Sequence, residues 1–161
     1  MASGKTTVGK IIAEMLDFKF ADTDEYIEND TKMSVNDIFK KYGEKHFREL
    51  EEKAVIVCSD SENTVISCGG GVVLRETNII NLRKNGIIFN LNPTEEVIVS
   101  RLTKAADTRP LLDKNNAVDA LEKFSSRKSF YDNCDYRINI DINKTSEEIA
   151  EEIIRIYREE G

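Results

Sequence analysis

Helix-forming and strand-forming patterns alternate along almost the whole chain. Apolar residues recur at steps of three and four over residues 8–16, which predicts a helix with one buried face, and residues 18–21 predict a short buried strand. Three further strands are predicted at residues 64–68, 87–91 and 136–141. Because such alternation favours a parallel sheet covered on both faces, the sequence predicts a three-layer α/β/α fold. Its 161 residues predict one domain over residues 1–161.

The segments between these strands are predicted to be mostly helical. Residues 25–60 are polar, with Ser34 and Asp37 as a capping box for a short helix that ends near Gly43. Asn92 and Pro93 are predicted to open a helix that runs to about residue 103. Residues 104–116 lack periodicity and predict a mobile loop. The other helices are predicted at 76–84, 117–132 and 146–159.

Charge and cysteine content narrow the possible partners. With 23 basic and 30 acidic residues the net charge is -7, which disfavours nucleic acid and anionic membranes as partners. No apolar run approaches the roughly 20 residues that span a bilayer, so we expect a cytoplasmic protein, and nothing in the sequence requires more than a monomer. Three cysteines without Cys-x-x-Cys spacing indicate neither disulfides nor zinc, and we expect mostly buried thiols. His46 is expected to be a surface or packing residue.

A phosphate-binding pattern lies next to the first predicted helix. Gly4, Lys5 and Thr6 immediately precede the helical periodicity, and Thr7 follows. A phosphate loop needs backbone N–H groups at a helix N-terminus, a lysine that reaches the outer phosphates and a hydroxyl for Mg²⁺. The full pattern G-x-x-x-x-G-K-[ST] would begin two residues before Met1, so the alternative is a chance Gly-Lys-Thr sequence.

Polar groups and glycines follow two of the predicted strands. Asp22 and Asp24 occupy alternate positions, so both carboxylates would point to one side of an extended segment; the alternative is an Asx turn. Gly69, Gly70 and Gly71 would allow close backbone approach, with N–H groups able to contact a substrate, although a tight turn would also explain them.

Arginines at separate places along the chain offer sites for anions. Arg48 and Glu51 are three residues apart on one predicted helical face, which indicates an ion pair. A guanidinium group can also bind a carboxylate through two parallel hydrogen bonds. Arg109 falls in the predicted loop, and the residue pattern alone gives it no further role.

In order and spacing, the motifs of this chain resemble those of shikimate kinases. The resemblance implies a P-loop kinase fold with five strands, the first of which would precede Met1 together with the start of the phosphate loop. It also implies transfer of a phosphoryl group from Mg-ATP to the 3-hydroxyl of shikimate. The matching segments are Ala2-Ser3-Gly4-Lys5-Thr6-Thr7-Val8-Gly9, Asp22-Thr23-Asp24, Phe47-Arg48-Glu49-Leu50-Glu51, Ser67-Cys68-Gly69-Gly70-Gly71, Thr108-Arg109-Pro110-Leu111-Leu112, and Arg127 with Tyr131.

On the nucleotide side, the resemblance assigns roles residue by residue. It gives Lys5 and Arg109 catalytic roles, with Arg109 on a lid over residues 104–116. It gives Thr6 and Asp22 the metal. The ATP-binding residues would be Ser3, Gly4, Lys5, Thr6, Thr7 and Arg109.

On the acceptor side, the resemblance makes residues 25–60 the substrate-binding region. Asp24 would bind the acceptor hydroxyl and take its proton. Arg48, held by Glu51, and Arg127 would bind the substrate carboxylate. Gly69, Gly70 and Gly71 would line the substrate.

Two alternatives stay open from the sequence. One is a kinase-like domain that binds a ligand or partner without turnover, because the phosphate loop is incomplete as written. The other is a related small-molecule kinase that acts on an acceptor such as gluconate. If the protein is an active kinase, we expect a β-rich apolar strand and a glycine upstream of Met1.

Overall fold

The computed structural model describes residues 3–108 and 114–160. Its helices are α1 (Lys5–Leu16), α2 (Thr23–Thr31), α3 (Val35–Ser59), α4 (Glu76–Arg83), α5 (Glu95–Thr108), α6 (Lys114–Ser126), α7 (Lys128–Tyr131) and α8 (Ser146–Glu160). Its strands are β1 (Lys19–Asp22), β2 (Thr64–Ser67), β3 (Phe89–Pro93) and β4 (Tyr136–Ile140). The predicted alternation of helices and strands is confirmed.

The chain divides into two compact units, each with one pair of strands. In residues 9–88, β1 and β2 pair in parallel, with Lys19 opposite Thr64. In residues 1–8 and 89–161, β3 and β4 pair in parallel, with Phe89 opposite Tyr136. The parallel pairing confirms the predicted α/β class. The five-strand count, the strand upstream of Met1 and the single domain over residues 1–161 stay predictions.

A core between α2 and α3 holds the unit of residues 9–88 together. Its buried members are Ile27, Ile38, Phe47 and Ala54. The α3 helix begins as predicted, because the Ser34 hydroxyl accepts a hydrogen bond from the Asp37 N–H at 3.1 Å. Gly43 adopts φ 80° and ψ 175°, a kink that divides α3 at the point where the sequence predicts one helix to end.

The core of the other unit is built from α5, β4 and α8. Ile138 and Ile140 alternate inward along β4, as expected for a strand with one buried face. On the amphipathic helices, the buried residues are Val97, Ile98, Ile149, Ala150, Ile153 and Ile154. Within the described ranges, none of the helices combines the length and the apolar content that a bilayer crossing requires.

Several predicted boundaries are wrong, among them that of β3, which runs over Phe89–Pro93 and not over residues 87–91. Pro93 ends β3 rather than opening a helix, which a proline tolerates at a strand end, and the Thr94 N–H bonds to the Ile140 carbonyl at 3.0 Å. The predicted loop is shorter than residues 104–116, because residues 104–108 complete α5 and residues 114–116 begin α6. The helix predicted over residues 117–132 is interrupted at Arg127, whose φ of -100° and ψ of 0° separate α6 from α7.

Candidate active site

A helix cap orients the first aspartate of the predicted pair. Asp22 ends β1, and its Oδ1 accepts hydrogen bonds from the N–H groups of Asp24 at 3.0 Å and Glu25 at 3.3 Å. Aspartate is favoured at this position because its carboxylate satisfies N–H groups that the helix leaves unpaired. Asp24 therefore lies in the first turn of α2, and the prediction that both carboxylates project from one extended segment is wrong.

The residue between the two aspartates joins the ends of β1 and β2. Thr23 is fully buried, and its hydroxyl accepts a hydrogen bond from the Gly69 N–H at 2.9 Å. A β-carbon placed on Gly69 would lie 2.6 Å from Oδ1 of Asp24, so the Asp24 carboxylate lies directly against this glycine. The close approach explains the glycine. The predicted free N–H is wrong for Gly69, because Thr23 already accepts from it.

Two acidic residues of α3 bind the guanidinium group of Arg48. Its Nη1 donates to Oε2 of Glu51 at 2.6 Å, while Nη2 and Nε donate to Oε1 of Glu44 at 3.2 and 3.3 Å. The side chains of Arg48 and Glu51 are 10% and 1% exposed. The predicted ion pair is thus present, and it is buried rather than on the surface. The contacts of Arg48 with both glutamates fix the direction of its guanidinium group.

The same guanidinium group lies between aromatic rings and the glycine segment. Its carbon is 5.3 Å from the centre of the Phe47 ring and 5.9 Å from that of Phe39, both within cation–π range. A β-carbon on Gly71 would overlap Nη1 and would lie 2.6 Å from Nη2. Three of the five N–H groups are engaged, which leaves one each on Nη1 and Nη2. Two such groups suit a carboxylate oxygen pair.

Replacing Gly71 with alanine tests this packing. The Gly71 φ of -96° suits any residue, so the cost arises from overlap with a guanidinium group that Glu44 and Glu51 prevent from moving. We expect the free energy of unfolding to fall by about 1–3 kcal/mol, the usual cost of overpacking. The comparison variant is Gly86→Ala, at an exposed position where an added β-carbon would lie no closer than 3.0 Å to the Leu82 carbonyl oxygen, and both variants are compared by urea unfolding. Equal midpoints for the two variants would show that Arg48 is not packed on Gly71.

In the other unit, the Gly-Lys-Thr segment begins a helix as predicted. Gly4 has φ 83°, in the left-handed region that favours glycine, and α1 starts at Lys5. The Val8 N–H bonds to the Gly4 carbonyl at 2.9 Å, while the N–H groups of the first turn point out of the helix end. Ser3 is buried and Thr6 and Thr7 are exposed. A helix N-terminus of this kind attracts phosphate.

Sequence reasoning missed a basic residue against this loop. A β-carbon on Gly4 would lie 2.9 Å from Nη1 of Arg101, which belongs to α5. Burial lowers the pKa of Arg101, but a guanidinium group stays charged at neutral pH. The signal in the sequence was its spacing: Arg101 follows the buried Val97 by four residues and Ile98 by three, so it shares their inward face.

Of the other two arginines with predicted roles, the structure describes Arg127 but not Arg109. Arg127 is half-buried in front of α7, and no acidic side chain pairs with it in the part of the chain that the structure describes. Arg109 and residues 110–113 lie outside the described residues. The roles of both arginines stay predictions.

The cysteines and the histidine have no assigned role in this site. Cys58 is buried, and burial followed by the charge of Asp22 raises its pKa, so the thiol stays protonated. Cys68 and Cys134 are only half-buried, so the expectation of mostly buried thiols is wrong for these two. The His46 ring packs 4.9 Å from that of Tyr42 with its side chain 44% exposed, which confirms a surface packing residue.

Sequence comparison finds one family along nearly the whole chain. The family model described as "SKI: Shikimate kinase" matches residues 1–158. A shikimate kinase of Caldanaerobacter subterraneus subsp. tengcongensis is 48% identical over 158 residues, which cover 98% of this chain and 91% of the relative. One from Caldicellulosiruptor bescii is 47% identical with the same coverage.

Solved structures give the same result for the fold. A shikimate kinase from Acinetobacter baumannii in complex with shikimate superposes with a TM-score of 0.86 at 27% identity, covering 99% of this chain and 89% of the other. The shikimate kinase of Bacteroides thetaiotaomicron gives 0.87 at 30% identity, covering 98% and 94%.

Proposed function

The chain belongs to the shikimate kinase family and is an ATP-dependent kinase of the shikimate pathway, and we propose that it phosphorylates the 3-hydroxyl of shikimate. The products are shikimate 3-phosphate and ADP, on the route to aromatic amino acids. The observation that carries this proposal is the buried Arg48, three of whose five N–H groups bind Glu44 and Glu51, which leaves two for a ligand. Such a group fits the carboxylate that shikimate carries and that a nucleoside acceptor lacks.

Arg48 binds the acceptor carboxylate. Glu44 and Glu51 fix its guanidinium group before any ligand arrives, so little side-chain entropy is lost on binding. Gly71 lies against the same group, and its N–H has no acceptor among the described residues, so it can donate to the substrate. Arg127, which has no acidic partner in those residues, keeps the role of second guanidinium group that the resemblance gives it. These contacts position the acceptor rather than react with it.

Asp24 orients the acceptor hydroxyl and accepts its proton. Its carboxylate lies against Gly69, and the buried Thr23 hydroxyl ties that glycine to the start of α2. The carboxylate is therefore held on a helix and a strand end rather than on a free loop, which favours a fixed geometry for in-line attack.

The first turn of α1 binds the phosphates of ATP. Lys5 brings a positive charge to a helix end whose N–H groups already favour anions, and Arg101 adds a second charge beside Gly4. Together with Ser3, Thr6 and Thr7, these residues offset phosphate charge in a protein whose net charge is -7. Arg109 keeps the role that the resemblance gives it, stabilising the phosphoryl group in transit.

The oxygen donors at two positions suit Mg²⁺. Thr6 offers a hydroxyl in the first turn of α1, and Asp22 offers a carboxylate whose direction is fixed by its cap bonds to α2. Mg²⁺ prefers hydroxyl, carboxylate and phosphate oxygens, so both residues fit the roles proposed for them. When bound, the ion would neutralise phosphate charge.

Steady-state kinetics test the substrate assignment. The full-length protein with Mg-ATP should release ADP when shikimate is added and not when gluconate is added, because gluconate lacks the ring that places the carboxylate and hydroxyl at fixed separation. Turnover with gluconate but not with shikimate would contradict the proposed substrate, and the protein would still be a small-molecule kinase. No turnover with either, despite ATP binding, would favour a binding protein without catalysis.

Replacing Arg101 with methionine tests its place beside the phosphate loop. Methionine keeps much of the buried length but removes the charge. We expect the KM for ATP to rise roughly fivefold to tenfold, the loss of about one charge-assisted contact, with the KM for shikimate nearly unchanged. Arg155→Met on α8 is the control for removing a surface charge. An unchanged KM for ATP in the Arg101 variant would show that Arg101 supports packing alone.

We also propose that the protein acts as a cytoplasmic monomer. The acidic surface charge and the described residues of both units give no feature that requires a second copy. Sedimentation equilibrium at assay concentrations should give the mass of one chain, and a dimer mass would contradict the proposal.

A further inference from the structure

Two neighbouring glutamates of α3 hold arginines from different parts of the chain. Glu51 binds Arg48 on its own helix. Glu52 accepts hydrogen bonds from Nη1 of Arg75 at 2.5 Å and from the hydroxyl of Thr77 at 2.9 Å. Arg75 and Thr77 follow the glycine segment, so the second pair connects α3 to residues more than twenty positions away. The side chains of Arg75 and Glu52 are 31% and 30% exposed.

Backbone hydrogen bonds connect Arg75 to the glycines. The chain from Gly69 forms a single 3-10 turn at Val72–Leu74, in which Leu74 N–H donates to the Gly71 carbonyl at 3.0 Å and Val72 N–H to that of Gly69 at 3.1 Å. The fully buried Asn78 donates to the Val72 carbonyl at 3.0 Å. Arg75 directly follows this turn, and its own N–H bonds to the Val72 carbonyl at 3.5 Å, so Arg75 is joined to the turn that begins at Gly71, on which Arg48 packs.

We propose that Glu52 and Arg75, with Thr77, position the acceptor site by fastening the glycine segment to α3. The inference rests on the proposed function. Glu51 fixes the Arg48 guanidinium group that binds the carboxylate, and Glu52 fixes the glycine segment through Arg75. Adjacent residues of one helix therefore set the spacing between the guanidinium group and the glycine segment. Glu52 and Arg75 bind each other and Thr77, and in this proposal they act on the acceptor site through Gly71.

The ion pair between Glu52 and Arg75 is expected to be formed at neutral pH. Hydrogen bonds from Thr77 and Arg75 lower the pKa of Glu52 from its ordinary value of 4.5, so the carboxylate stays ionised. A half-exposed ion pair contributes little to global stability. The main effect of breaking it is thus expected in substrate binding rather than in unfolding.

The test compares Glu52→Gln and Thr77→Val with a matched control in the full-length protein. Glutamine keeps the shape of Glu52 and removes its charge, and Thr77→Val removes one hydrogen bond at an exposed site, where folding is not at risk. The control is Glu152→Gln on α8, which breaks the ion pair of Glu152 with Lys144, a residue that precedes this helix. The side chains of Glu152 and Lys144 are 30% and 23% exposed. The measured quantities are kcat, the KM for each substrate and amide hydrogen exchange at residues 69–74.

We expect Glu52→Gln to raise the KM for shikimate on the order of tenfold, and Thr77→Val by about threefold, with the KM for ATP within about twofold of wild type. Exchange at residues 69–74 should accelerate in Glu52→Gln and not in Glu152→Gln. The charge-exchanged double variant, Glu52→Arg with Arg75→Glu, should recover part of the shikimate KM.

Two results would overturn the inference. One is a Glu52→Gln variant that matches Glu152→Gln in both KM values. The other is an equal rise of both KM values without recovery in the double variant, which indicates a general structural role. Absence of shikimate-dependent ADP release in the wild type is a separate outcome, and it overturns the proposed function instead.

Discussion

Replacing Lys5 with alanine should lower kcat on the order of a thousandfold, because it removes a positive charge that stabilises the phosphoryl group in the transition state. Lys5 opens α1, where N–H groups already attract phosphate. Those N–H groups remain in the variant, so ATP binding should weaken much less than turnover. The substitution should leave the KM for shikimate nearly unchanged, since none of the residues proposed to bind the acceptor belongs to α1.

A second lysine of the same helix provides the control. Lys10 lies one and a half turns further along α1, with its Nζ 5.6 Å from the centre of the Phe20 ring. Lys10→Ala removes the same charge and leaves the helix start intact, so kcat should stay within about twofold of wild type. Equal losses in the two variants would show that the effect is one of net charge or helix stability. The measurement is single-turnover phosphoryl transfer at saturating ATP.

Replacing Arg48 with alanine should damage both substrate binding and stability. It removes the group that binds the carboxylate, and we expect the KM for shikimate to rise by about two orders of magnitude. It also leaves the carboxylate of Glu51, which is 1% exposed, without its 2.6 Å partner. Breaking a buried ion pair from one side costs about 3–5 kcal/mol of unfolding free energy. ATP binding should change little.

A double variant separates the two effects. Arg48→Met combined with Glu51→Leu removes both charges and keeps apolar bulk beside Phe47, so stability should return to near the wild-type value. Shikimate use should not return, because the carboxylate has lost its guanidinium partner. Recovery of shikimate turnover in the stable double variant would show that Arg48 serves only to neutralise Glu51. Urea unfolding and steady-state kinetics on the same preparations give both results.

Much of the fold could be predicted from the sequence, because local signals agree with the final structure there. The apolar period of α1, the Ser34 cap and the break at Gly43 are all determined by neighbouring residues. The boundaries that were predicted wrongly lie where contacts between residues distant in the sequence determine the end of an element. Pro93 is a helix opener by its own chemistry, but pairing with Ile140 extends β3 through it.

The candidate site shows the same division. The Arg48–Glu51 pair follows from helical spacing and is present. Gly69 lies against Asp24, and Gly71 lies against Arg48. These contacts arise because the segment after β2 meets α2 and α3, and no local sequence pattern predicts such a meeting. Arg101 and Glu52 were missed for this reason. Helical spacing indicates that Arg101 faces inward, but it does not show which distant residue Arg101 or Glu52 meets.

The identity of the product tests the proposed reaction directly. The full-length protein is incubated with Mg-ATP and shikimate, and ³¹P NMR with proton coupling follows the new phosphate ester. We expect one monoester whose phosphorus couples to the proton on carbon 3 of the ring, formed in equal amount to ADP. A phosphate on another hydroxyl, or ADP and inorganic phosphate without an ester, would contradict it.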